Sequence, residues 1–218
     1  MSFRKSILAV AAVGLALAAV PLAQAAAPPA PGLPDLVSSS DSGSSPLDNI
    51  TSDSTPSFTI DAGAAQAGMT VTLYFQTGTQ AAQSAGSAIV PASGVVSMTA
   101  SSQGDGTWNV TAKTTNSGAE TSQPSSALSV QIDSSVPLLL SAPVLHDFVG
   151  SIPTVTFTST PRFDVVAETD LIVQLYEGTT SLGTGTSVGG NALVAVSTPL
   201  SDGIHVVHAI GTDLAGNN

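Results

Sequence analysis

The 218-residue sequence has no cysteine, which excludes a disulfide framework and a lipoprotein anchor. It is almost as poor in positive charge, with four Lys and Arg against 15 Asp and Glu. Two of those four, Arg4 and Lys5, precede every acid. Beyond residue 25 only Lys113 and Arg162 oppose the 15 acids, leaving 13 net negative charges. Such a surface repels nucleic-acid phosphates and anionic lipid, so neither is expected as a partner. It suits divalent cations and a soluble life outside the cell, and solubility alone accounts for most of the acids. Aromatic residues make up 4% of the chain, too few for an aromatic sugar-binding platform. No stretch beyond residue 25 shows a helical period.

The N-terminus reads as a secretory signal over residues 1–25. Arg4 and Lys5 form its basic start, Ile7 to Val20 its uncharged apolar run, and Ala23-Gln24-Ala25 its small-residue cleavage site. The apolar run falls short of the roughly 20 residues of a spanning helix, so no membrane insertion is expected once the signal is cleaved. Residues 26–34 form a Pro/Ala spacer, expected to be extended and unpacked.

What the chain does have is 42% hydrophobic residues, many in strict alternation. Phe58 and Ile60 share one face. Val71, Leu73 and Phe75 share another, opposite Thr70, Thr72 and Tyr74. Trp108, Val110 and Ala112 alternate, as do Leu128, Val130 and Ile132. This period of two in β-branched and aromatic residues, broken by Gly, Ser, Thr and Asn clusters, predicts short strands and turns. The pattern occurs twice. DGTWNVTAKTTNSG (105–118) and DGIHVVHAIGTDLAGN (202–217) share Asp, Gly, Val, Ala and Thr in register. Thr55-Pro56 then Phe58 returns as Thr160-Pro161 then Phe163, and Leu73-Tyr74 returns as Leu175-Tyr176. Offsets shrink from 105 through 102 to 97, so small loop deletions separate the copies. The fold class expected is all-β. Two modules of about 100 residues fit the length, with boundaries at 35–133 and 134–218. The second copy stops where a counterpart of ALSVQID (127–133) is due. A chain that continues as a longer array is expected; a strand from another chain filling the gap is the alternative.

The segments DLVSSSDSGSSPLDNITSDSTPSFTI, TVTLY, DGTWNVTA, ALSVQID and DGIHVVHAIGTDLAGN resemble the bacterial Ig-like repeats of large surface adhesins and biofilm-associated proteins. The resemblance runs from about Pro34 to Asn218 and is weaker over 138–153, where the second copy lacks the SDSG…DNIT segment. It implies two tandem immunoglobulin-like β-sandwiches, the second lacking its last strand, without catalysis, acting as spacer or adhesion module at the cell surface. In several such adhesins calcium stiffens the joints. By analogy with that fold, Asp133 at the exit of the first module would meet Glu168, Asp170 and Asp213 on loops of the second, and calcium would bridge them. Asn116 stands where Asp213 stands, which argues against a matching site in the first module. Asp41, Asp48 and Asp53 offer ligands for a second such site, but turn and capping roles, which Asp favours through local hydrogen bonds, are the preferred reading.

Other chemistry finds little support. Gly185 to Gly189 fits G-x-S-x-G, but a nucleophile elbow needs a strand before it and a helix after it. His205 and His208 point to opposite faces of a strand and cannot share a zinc ion. The expected function is therefore a non-catalytic structural or adhesive module of an exported protein, extracellular or at the cell surface. A monomer or tandem array is expected, engaging an unidentified protein or glycan, or nothing. The alternatives are a carbohydrate- or protein-binding module and an accessory region of a secreted enzyme.

Overall fold

The computed structural model describes residues 26–139 and 141–218; the signal expected over 1–25 lies outside them. Strands are numbered in chain order. In the first unit β1 (Asp35–Leu36), β3 (Ser57–Asp61) and β6 (Val95–Thr99) form a three-stranded sheet in the order β1-β3-β6. Facing it are β2 (Ile50–Thr51), β4 (Thr70–Gln76), β5 (Gln83–Ile89), β7 (Gly106–Thr115) and β8 (Leu128–Ile132), in the order β2-β8-β7-β4-β5. In the second unit β9 (Val144–Leu145), β10 (Arg162–Val166) and β13 (Asn191–Ala195) form one sheet. The other is β11 (Ile172–Glu177), β12 (Thr180–Thr186) and β14 (Val207–Thr212), in the order β12-β11-β14. Each unit has its own hydrophobic cluster. The fold is all-β and Ig-like, as expected.

Alternation places the core. Phe58, Ile60, Val71, Leu73, Phe75, Val110, Ala112 and Val130 are each 0% exposed, and β4 alternates buried with half-buried along its whole length. Burying a Val, Leu, Ile or Phe side chain fully contributes about 1.5–3 kcal/mol, so β3, β4, β8 and β11 each bring two or three such increments. Phe75 sits edge-on to both Phe58 and Trp108, with ring centroids 5.8 and 5.9 Å apart. The Trp108 indole N–H donates to the Gly104 carbonyl at 2.9 Å.

The duplication is visible in the backbone as well as in the sequence. The register of β4 against β5 slips between Leu73 and Tyr74, and that of β11 against β12 slips between Leu175 and Tyr176. Phe75 pairs with Val110, and Glu177 with Val207. The second unit therefore has Phe163, Glu177 and His205 where the first has Phe58, Phe75 and Trp108. His205 bonds Glu177 at 3.0 Å; an ion pair replaces two rings of an aromatic trio.

Residues 26–34 differ from the unpacked spacer expected. Pro28, Pro31 and Pro34 are buried, and the Gly32 N–H donates to the Asp61 carbonyl at 2.7 Å. A polyproline II helix has three residues per turn. Prolines at every third position thus share one face, and that face packs on the first unit.

Candidate functional site

The candidate site lies where the two units meet, and three segments build this joint. The first is the loop Ser40–Gly43, which turns back after β1. The second is Asp133, just past β8. The third is the turn Asp213–Asn217, directly after β14.

Ser42 organises its loop. Its Oγ accepts the Ser52 N–H at 2.7 Å and lies 3.0 Å from Ser52 Oγ and 3.3 Å from Thr51 Oγ1. It donates across the joint to the Ala215 carbonyl at 2.5 Å. Ala215 is 1% exposed. Beside it the two backbones touch at glycines. A Cβ on Gly43 would lie 2.0 Å from the Leu214 carbonyl oxygen, and one on Gly216 would lie 2.9 Å from Gly43 N. Both glycines have φ above +90°, a region that side chains disfavour. No larger residue could occupy either position without parting the units.

Asn217 is the second tie. Its Nδ2 donates one hydrogen to the Asp133 carbonyl at 2.8 Å and the other to Asp213 Oδ2 at 2.9 Å. Its N–H donates to Asp213 Oδ1 at 2.9 Å. The same turn occurs in the first unit, where Asn116 Oδ1 accepts the Glu120 N–H at 3.0 Å and Asn116 Nδ2 donates to the Ala26 carbonyl at 3.1 Å. Asn116 and Asp213 thus do equivalent work: each carbonyl or carboxylate oxygen closes a turn that faces the segment entering its own unit.

The four expected calcium ligands are dispersed around this joint. Asp133 turns its Oδ1 to its own Ser135 N–H at 3.1 Å and offers the joint only its carbonyl. Asp213 has both carboxylate oxygens bonded to Asn217. Glu168 Oε2 accepts the Leu138 N–H at 3.1 Å. Asp170 occupies a turn at φ 64° and donates its N–H to the Ser187 carbonyl at 3.0 Å. Among the described residues no three His, Asp or Glu side chains are grouped to hold a metal ion. Calcium takes six to eight oxygens, and the four residues as placed do not make such a shell.

The SDSG…DNIT acids act as turn residues. Asp41 Oδ2 accepts the Asn49 N–H, Asp48 Oδ1 the Ile50 N–H, and Asp53 Oδ1 the Thr55 N–H. Burial pushes the Asp41 carboxyl above its ordinary value. The G-x-S-x-G serine is structural too. Ser187 is 0% exposed; its Oγ donates to the Glu168 carbonyl and accepts the Leu171 N–H at 2.9 Å, so it closes the turn before β11. His208, on the outer face of β14, stacks on Tyr176 with centroids 5.6 Å apart.

Ser42, Gly43, Gly216 and Asn217 are the joint residues that sequence reasoning passed over. They were legible only as turn formers, because Gly, Ser and Asn carry the same signal in any loop.

Comparisons with known proteins bear on the fold. A solved biofilm-associated protein, BSP domain, is similar at 18% identity and a TM-score of 0.27, over 76% of this chain and 28% of its own. At that score the likeness carries no argument, and the chain spans under a third of that protein's length. No curated protein matches. The family described as bacterial Ig-like domain matches residues 27–134, the span from the packed prolines through β8 to the joint. With two facing sheets around an alternating core over that span, the first unit is a bacterial Ig-like domain.

Proposed function

We propose that this chain is a non-catalytic structural module of an exported bacterial surface protein. In this reading two Ig-like repeats stand end to end as a spacer that carries or presents an adhesive region. The observation that carries it is the interlocked joint: two backbones in contact at Gly43 and Gly216, tied by Ser42 to Ala215 and by Asn217 to Asp133. A spacer transmits length only if its joints resist bending. An interface that admits no Cβ and joins units through main-chain carbonyls is suited to that. The acidic surface and the N-terminal secretory pattern favour an extracellular address.

The test is the orientation of the two units in solution. Residual dipolar couplings measured over residues 26–218 are expected to fit one alignment tensor for both units. Gly43→Val is expected to give two tensors of different magnitude while leaving each unit's amide chemical shifts native away from the joint. Independent tumbling of the units in the unsubstituted chain would sink the spacer reading.

A further inference from the structure

The first unit contains a pair of strands whose geometry matters under tension. The chain enters that unit through β1 and leaves it through β8, and β2 lies against β8. These two run parallel, with Ile50 beside Gln131 and Thr51 beside Ile132. The Gln131 N–H donates to the Asn49 carbonyl and the Asp133 N–H to the Thr51 carbonyl, each at 2.9 Å. Parallel strands drawn from opposite ends slide along one another. The evenly spaced bonds between them then carry the load together, not in succession.

The end of β2 is gripped by residues 40–42. Thr51 is 0% exposed. Its Oγ1 donates to the Ser40 carbonyl at 2.5 Å and accepts the Asp53 N–H at 2.9 Å. Ser40 Oγ donates to Asp53 Oδ2 at 2.9 Å and accepts the Ser57 N–H at 3.1 Å.

The second unit reaches both strands of the pair with one turn. Ser42 Oγ accepts the N–H of Ser52, the residue after β2, and donates to the Ala215 carbonyl. The carbonyl of Asp133, the residue after β8, accepts from Asn217 Nδ2 at 2.8 Å. Two residues of the turn Asp213–Asn217 are thus fastened to the ends of two different strands of its neighbour. Ser42 also lies between β1 and β2 in the chain. A pull arriving through β1 meets the bond to Ala215 before it reaches β2.

We propose that the turn Asp213–Asn217 is a latch on the first unit. By bridging the ends of β2 and β8 it keeps them from sliding, so the first unit holds longer under tension while the second stays folded against it. A stiff joint requires only that the units do not bend. A latch makes the lifetime of one unit under load depend on its neighbour. It also sets an order of failure: once the second unit unfolds, the turn is gone and the first is free to yield. The inference rests on the spacer reading only for the source of the tension.

Single-molecule force spectroscopy tests it. The chain has no cysteine, so two introduced ones are unique attachment points. Ala26→Cys and Val136→Cys, both at exposed positions, load the first unit and leave the second outside the path of the force. The lifetime of the first unit at constant force reads its unfolding rate. Asn217→Ala is expected to shorten it about fivefold, the rate equivalent of one net hydrogen bond. Gly216→Val, whose Cβ would stand 2.9 Å from Gly43 N, is expected to shorten it at least as much. Both substitutions lie in the unloaded unit and act only across the joint. Attachment at Thr79→Cys and Ser117→Cys, again exposed, loads β4 against β7 instead. In that direction neither substitution is expected to change the lifetime. A lifetime along 26–136 that neither substitution alters would overturn the latch. Equal shortening in both directions would overturn it too, since the turn would then stabilise the first unit at large. The dipolar couplings test the stiff joint separately, so a stiff joint without a latch gives a different pair of results from a latch on a flexible chain.

Discussion

At the scale of single residues, the two units differ most at one end of their cores. Trp108 and Phe75 in the first become His205 and Glu177 in the second. His205 Nδ1 faces Glu177 at 3.0 Å and Nε2 faces the Ser201 carbonyl at 2.9 Å. Both partners only accept, so both ring nitrogens must donate and the bound form is the imidazolium. The Ser201 carbonyl and then Glu177 raise the His205 pKa above its ordinary value. A raised folded-state value stabilises the protein fully below the unfolded value of about 6.5 and loses that contribution as pH rises through the folded value. Thermal melts of the second unit are therefore expected to fall as pH rises above about 6.5. His205→Gln is expected to flatten that difference. A slope unchanged by the substitution would assign it to a group other than His205.

At the scale of elements, alternation made β3, β4, β7, β8 and β11 legible, because each has apolar residues on one face only. β5 (QSAGSAI) and β12 (TSLGTGT) were not, since Ser, Gly and Thr give no period and read as loop. They are strands because β4 and β11 supply a long partner edge, and pairing outweighs weak intrinsic preference. The same Gly- and Ser-rich composition generated the G-x-S-x-G match. Its serine shows what such residues do here: they close turns from inside. Ser187→Ala leaves the Leu171 N–H without its acceptor in a buried turn, which costs about 1–3 kcal/mol. Chemical denaturation is expected to show that loss in the second unit with the first unit's transition, followed by Trp108, unmoved. A neutral substitution would mean that water replaces the hydroxyl. The proline segment was misread for a related reason. Composition suggested a spacer, whereas the three-residue spacing of Pro28, Pro31 and Pro34 was the structural signal.

At the scale of the whole molecule, the joint was legible in position but not in chemistry. Acids were the conspicuous groups, so repulsion and a bridging cation followed from them. The structure instead puts a neutral amide at the centre. Asn217 supplies two N–H hydrogens to two oxygens, one on each side of the joint, and each bond has a partner that only accepts. Such a tie needs no cation, so millimolar calcium or a chelator is expected to leave both the alignment tensor and the melting temperature unchanged. Asn217→Asp reverses this. It removes both side-chain donors and sets a second carboxylate against that of Asp213, now without an intervening donor. Like charges that close repel unless an opposite charge intervenes. The variant is expected to loosen the joint, splitting the single tensor, and to become calcium-sensitive because the two carboxylates and the Asp133 carbonyl then offer hard oxygens to a divalent ion. Binding to the folded form would raise its melting temperature with calcium concentration. A calcium response in the unsubstituted chain of the same size as in Asn217→Asp would show that the amide is not what holds the two units together.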